Sequence, residues 1–111
     1  MVFVGPSADA IESMGLKHTA RALALATGVP AVPGSELIRD PQEAVAAARS
    51  VGFPVMIKAS GGGGGIGMQI CSTEEEVPSA FESVRGRSAE LFQDSGVFLE
   101  RYIARSHHIE V

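Results

Sequence analysis

Apolar positions recur along the chain with two different periods, and the switches between them predict its elements. Met1-Val2-Phe3-Val4 is a short apolar run that reads as a strand, ended by Gly5-Pro6, and Ser7 stands where a cap belongs for a helix over Ala8 to Met14. Gly15 is expected to break that helix. Leu16, Ala20, Leu23 and Ala24 then fall at i, i+4, i+7 and i+8, predicting a second helix over 16–27 with Lys17 and Arg21 on one side and Gly28 as its C′ residue. Val29 to Gly34 is extended. Asp40-Pro41-Gln42-Glu43 is a strong helix start, with Asp40 as cap, Pro41 at N1 and Glu43 at N3, and the helix closes at Val51-Gly52.

The second half repeats the alternation. A strand over Pro54 to Ser60 carries Lys58 near its end, Met68 to Cys71 forms the next strand, and Thr73 with Glu76 has capping-box spacing for a helix that ends near Phe92. Pro78 either heads that helix or bends it, and Gly86 is a second weak point. Gly96 to Ile103 is a further strand, and His107 to Val111 alternates, with His108 and Glu110 on one face and Ile109 and Val111 on the other. The fold class expected is α+β, with helices on a small antiparallel sheet. The strands at the two ends lack neighbours, the pattern of a chain cut from a longer one, and their bare edges predict self-association.

Between the Lys58 strand and Met68 lie Gly61 to Gly65, Ile66 and Gly67. Glycine lets backbone N–H groups close on an anion, and a lysine at the end of a rigid strand adds a point charge, so the pair suits the phosphates of a nucleotide. A flexible linker is the plain alternative, but linkers are mixed with serine and flanked by polar residues. Gly62 to Gly67 formally matches the dinucleotide fingerprint G-x-G-x-x-G, which needs a helix to follow. A strand follows instead. No Gly-Lys-Ser/Thr closes a Walker loop, which leaves a strand, glycine loop and strand: a hairpin flap over phosphates.

Composition narrows the partners. The 111 residues suffice for one domain's worth of core, with 45% hydrophobic and 20% charged residues. Nine Lys and Arg against 13 Asp and Glu give a net charge of −4, so no broad basic footprint for nucleic acid is present. No apolar run is long enough to span a bilayer and no leader pattern is seen, so neither membrane nor export is expected and the cytoplasm is the default location. The single cysteine, Cys71, reads as a packed strand residue, and Glu74-Glu75-Glu76 as a solvated helix start.

Phe3-Val4-Gly5-Pro6-Ser7, Met14-Gly15-Leu16-Lys17, Gly28-Val29-Pro30, Gly52 to Ala59, the glycine run with Gly67-Met68, Leu99 to Ile103 and His108 to Val111 occur in the order found in biotin-dependent carboxylases. Together they resemble the biotin carboxylase component, an ATP-grasp enzyme, over essentially the whole chain. Ile66, where that family usually carries Lys or Arg, with Gly15 to Arg21 and Phe92 to Val97, is most similar to the urea carboxylase branch found in urea amidolyase.

The resemblance implies an enzyme that uses ATP, Mg²⁺ and bicarbonate to carboxylate biotin on a carrier domain, serving a separate carboxyltransferase domain. It implies that residues 1–30 end an N-terminal domain with its linking helices and that residues 31–111 belong to the mobile ATP-grasp lid. Lys17 and Lys58 match lysines on the ATP phosphates, and Gly64 and Gly65 the flap over them. Glu100, Arg101, Tyr102 and Ile103 match the adenine hinge, with the Arg101 and Ile103 backbone facing the base and the Glu100 carboxylate near its amino group. His108 matches a nucleotide contact. Metal carboxylates, bicarbonate and biotin contacts and the catalytic base are expected beyond Val111, so no catalytic or metal residue is assigned within the chain. Ile66 is expected to pack or stiffen the flap. Plainer readings stand beside these: Lys17 as a solvated helix lysine, Glu100-Arg101 as a surface pair, and His108 with Glu110 as strand alternation rather than two metal ligands. For the whole chain the alternatives are another ATP-grasp ligase, such as a purine or carbamoyl phosphate enzyme, or a noncatalytic docking module.

Overall fold

A computed structural model describes residues 1–61, 65–92 and 96–110. Helix α1 spans Ala8–Gly15, with the Ser7 hydroxyl accepting from the Ala10 N–H at 3.2 Å. Helix α2 spans Lys17–Ala26. The break between them is Leu16, whose extended backbone interrupts the helical run, rather than Gly15, which stays in α1. At the other end of α2, Gly28 has φ of +79° and donates to the Leu25 carbonyl, while the Val29 N–H reaches back to Ala24, the paired bonds of a Schellman cap.

Helix α3 spans Pro41–Val51, and the Asp40 carboxylate accepts from the Glu43 N–H at 2.8 Å as the sequence predicts. Strands β1, Val55–Ala59, and β2, Met68–Cys71, pair antiparallel as a hairpin. The Ala59 N–H donates to the Gly67 carbonyl at 2.8 Å to close the hairpin, and Gly67, at φ of +79°, adopts a backbone that strains any side chain, with its Cβ position only 3.0 Å from Ala59 Cβ. A 3-10 turn over Glu74–Glu76 leads into α4, Val77–Phe92. The Glu76 carboxylate accepts from the N–H groups of Ser72 and Thr73, and Pro78 falls in the first turn of α4, where its missing donor costs nothing. Gly86 is carried within the helix.

Strand β3, Val97–Arg101, completes a three-stranded antiparallel sheet of order β2-β1-β3. Its outer edge is taken by residues 33–38: Pro33 accepts from Arg101, Ser35 donates to Leu99, and Ile38 donates to Val97. One sheet face, formed by Val55, Ile57, Ala59, Cys71, Val97 and Leu99, packs against α3 and α4. Ala44 and Ala48, one turn apart and fully buried, let α3 approach closely, and Val77, Phe81 and Val84 supply the bulk from α4. Burial of each large side chain contributes about 1.5–3 kcal/mol, so truncation of Phe81, Ile57 or Leu99, the largest fully buried members of this core, is expected to cost most.

The two end strands expected from the sequence do not form. Residues 1–4 and 107–110 carry no ladder pairing and are exposed, Val4 at 94% and Ile109 at 82%. An extended segment has no internal hydrogen bonds, so apolar alternation alone cannot make a strand without a neighbour. Cys71 is buried as predicted, and burial, with Glu76 nearby, pushes its thiol up from the ordinary value.

Candidate functional site

Because β1 must keep Val55, Ile57 and Ala59 in the core, the intervening Met56 and Lys58 are forced onto the opposite face of the sheet. There Lys58 stands between its register partners Met68 and Phe98, and Met56 between Ile70 and Glu100. Lys58 and Glu100 meet diagonally, with Nζ 2.8 Å from Oε2, and the ammonium lies 5.6 Å from the centre of the Phe98 ring. The other carboxylate oxygen of Glu100 lies 3.4 Å from Nε of Arg21 on α2. That approach is ionic and lacks hydrogen-bond alignment, while Nη2 of Arg21 donates to the Val32 carbonyl at 2.7 Å. All three side chains are largely withdrawn from water, at 14% exposure for Arg21, 22% for Lys58 and 21% for Glu100. Two cations therefore share one carboxylate in a partly dry setting, where charge interactions are stronger than at the surface. The surplus is positive, and it favours an anion.

The start of α2 is fixed to the same strand end. Leu16 gives no side-chain cap, and the first helical N–H, that of Lys17, donates instead to the Ser60 carbonyl at 3.2 Å. Ser60 is fully buried; its hydroxyl lies 2.5 Å from Nδ1 of His18, and its N–H donates to the Gly96 carbonyl. Lys17 Nζ reaches the Gly61 carbonyl at 3.5 Å, where the glycine run begins. Two clefts flank this junction. One, of about 400 Å³, is lined by Met56, Met68 and Ile70 of the sheet face away from α3 and α4, with Gly65 and Gln69. The other, of about 580 Å³, lies between α2 and the 34–37 segment, with His18, Arg21, Leu25, Gly34, Ser35 and Leu37 on its walls.

The structure thus brings Lys58 and Glu100 together and sets Lys17 at the mouth of the glycine run. Gly65, at φ of +82°, belongs to the smaller cleft; Gly64 lies outside the described residues. Arg101 turns its N–H outward to Pro33 and its guanidinium toward the Val51 carbonyl, Tyr102 donates to the Pro54 carbonyl, and Ile103 is half exposed. His108 pairs with Glu110 at 2.9 Å and does not join the cluster. Among the described residues no group of three or more His, Cys, Asp or Glu is placed to hold a metal, and no helix is long and apolar enough to cross a membrane. The motifs give Met56, Met68 and Ile70 no role at the site; their signal is the period-2 alternation with core residues that also puts Lys58 on that face. They give none to Ser60 and His18 either, which no local pattern joins.

A protein of Emericella nidulans named as a urea carboxylase is 55% identical to this chain over 112 residues, covering all of the chain and 9% of that protein. The urea amidolyase of Saccharomyces cerevisiae is 49% identical over 111 residues, covering all of the chain and 6% of that protein. The chain therefore spans less than a tenth of the length of these relatives. Among solved structures, the biotin carboxylase domain of Hydrogenobacter thermophilus 2-oxoglutarate carboxylase, in complex with MgADP, ADP and bicarbonate, superimposes with a TM-score of 0.86 at 40% identity, over 90% of this chain and 22% of that one. The model of the carbamoyl-phosphate synthase L chain ATP binding domain matches residues 17–111. With its flap hairpin and its cationic strand end in the arrangement described above, the chain belongs to that family of ATP binding domains.

Proposed function

We propose that this chain is the ATP-gripping part of a biotin carboxylase that serves urea carboxylation, with residues 1–30 as the end of its N-terminal domain and the linking helices, and residues 31–111 as the lid. The observation that carries the reading is the shared sheet face: Lys58, at the strand end that opens into the glycines, stands beside an apolar cleft lined by Met56, Met68 and Ile70. A cation next to backbone without side chains fits a polyphosphate, and an apolar slot with sulfur-bearing walls fits a flat base. Lys17, held at Gly61, is the second phosphate cation in this reading. The end of β3 at Glu100 and Arg101, with Tyr102 and Ile103 just beyond it, is the segment against which the base would rest, with His108 brought to the nucleotide when the lid closes. Gly64 and Gly65 cover the phosphates.

Magnesium, bicarbonate and biotin complete the reaction in this reading, but among the described residues no carboxylate set fits the metal. What this chain supplies is binding and orientation: neutralising phosphate charge, seating the base and keeping water from the phosphates. A biotin carrier and a carboxyltransferase domain would act on the product, and the cytoplasm, where ATP is made available, would be the place of work. Relatives that carry the urea carboxylase and urea amidolyase names support the urea branch.

The deciding experiment is ADP release by the full-length protein with MgATP. Release that requires both bicarbonate and free biotin or its carrier is expected. Release that requires bicarbonate but is indifferent to biotin would favour a carbamoyl phosphate type of ligase, and failure to bind ATP at all would leave a noncatalytic module.

A further inference from the structure

The motifs give Arg21 no role at the nucleotide, yet it is the most buried member of the charged cluster. We infer that Arg21 is a positioning residue that neutralises Glu100 and so leaves the Lys58 charge available to an incoming phosphate. The inference rests on the nucleotide reading above and names a part of that site no motif assigns.

Three observations support it. Glu100 divides its carboxylate, Oε2 to Lys58 at 2.8 Å and Oε1 to Arg21 at 3.4 Å. Were Lys58 the only cation, the pair would be neutral, and an anion would have to break it while facing an uncompensated carboxylate. With Arg21 present the cluster keeps a net positive charge, and Lys58 can turn toward phosphate without leaving Glu100 unpaired. The guanidinium is also fixed independently of Glu100, because Nη2 donates to the Val32 carbonyl at 2.7 Å. Third, the backbone makes room for the pair at Gly34: a Cβ there would lie 3.0 Å from Glu100 Cγ and 3.2 Å from Arg21 Nε.

The test is binding of a non-hydrolysable ATP analogue and of adenosine to the full-length protein, in wild type, Arg21→Gln, Arg21→Lys, Glu100→Gln and the Arg21→Gln/Glu100→Gln double variant, with urea midpoints as folding controls. Arg21→Gln is expected to weaken the triphosphate about tenfold and leave adenosine unchanged, whereas Arg21→Lys, which keeps the charge, stays within about threefold of wild type. In the Glu100→Gln background, Arg21→Gln should change triphosphate affinity by less than about threefold, since the charge it offsets has gone. Equal weakening of both ligands would mean a structural role and overturn the inference. So would an undiminished tenfold loss in the Glu100→Gln background, which would mean direct contact with phosphate, or no loss at all. If wild type binds neither compound, the nucleotide reading itself fails and this inference with it.

Discussion

The Ser60 hydroxyl and Nδ1 of His18 lie 2.5 Å apart, fastening the end of β1 to the first turn of α2 across 42 residues of chain. Ser60 is fully buried, whereas His18 is only partly so. Removing the imidazole strands a buried hydroxyl, so His18→Ala should cost about 1–3 kcal/mol. Ser60→Ala leaves a ring that water can still reach and should cost about 1 kcal/mol or less. The two losses should not add, because both remove one contact. Urea unfolding of the single and double variants checks this; strict additivity would mean that the contact carries no energy.

Gly34 lies where the 33–38 segment crosses β3, and a Cβ at this position would stand 2.7 Å from the Leu99 carbonyl oxygen. Backbone cannot give way as a long side chain can. Gly34→Ala is expected to destabilise by about 1–3 kcal/mol, the usual cost of forcing atoms into a packed site. A thermal midpoint equal to wild type would show that the edge segment is free to shift.

Two exposed ion pairs set an acid limb on stability. Arg39 holds the Glu43 carboxyl below the ordinary carboxylate range chiefly through side-chain hydrogen bonding, and Arg49 does the same for Glu74. Because both groups bind protons less readily folded than unfolded, their contribution is present above the unfolded carboxylate range and is lost as pH falls through it toward the folded values. The effect is small and salt-sensitive, since both carboxylates face water. Thermal midpoints measured from about pH 7 down to about pH 3 should fall further for wild type than for a Glu43→Gln/Glu74→Gln variant. Parallel curves would remove these pairs from the acid response.

Local chemistry was legible in the sequence where a short-range rule decides it. The Asp40 cap, the proline after it, the Gly28 turn, the Glu76 carboxylate at Ser72 and Thr73 and the hairpin around the glycines each follow from residues within a few positions of one another. The end segments follow the converse rule: the apolar run at Met1 to Val4 and the alternation at His107 to Glu110 state a strand preference, but a strand also needs the neighbour that both ends lack. Lys58 was found because a lysine ending an apolar strand must leave the core. Its pairing with Glu100 depends on a β1–β3 register that brings together residues 42 positions apart, and Arg21 and His18 enter only through the packing of α2. Such contacts leave no periodic trace.

The central claim is that Lys58 meets ATP phosphate at the strand end beneath the flap. In the full-length protein, bicarbonate-dependent ATP turnover should fall about 10²-fold or more for Lys58→Ala, the scale of losing one positioned charge donor. Lys58→Arg should restore little, since a planar fork does not occupy the place of a compact ammonium. Circular dichroism should remain that of wild type, because the lysine lies outside the core packed by α3 and α4. The most direct measurement is therefore the turnover of folded Lys58→Ala beside wild type. A loss of two orders of magnitude or more is predicted, and near-normal turnover would contradict the assignment of Lys58 to phosphate.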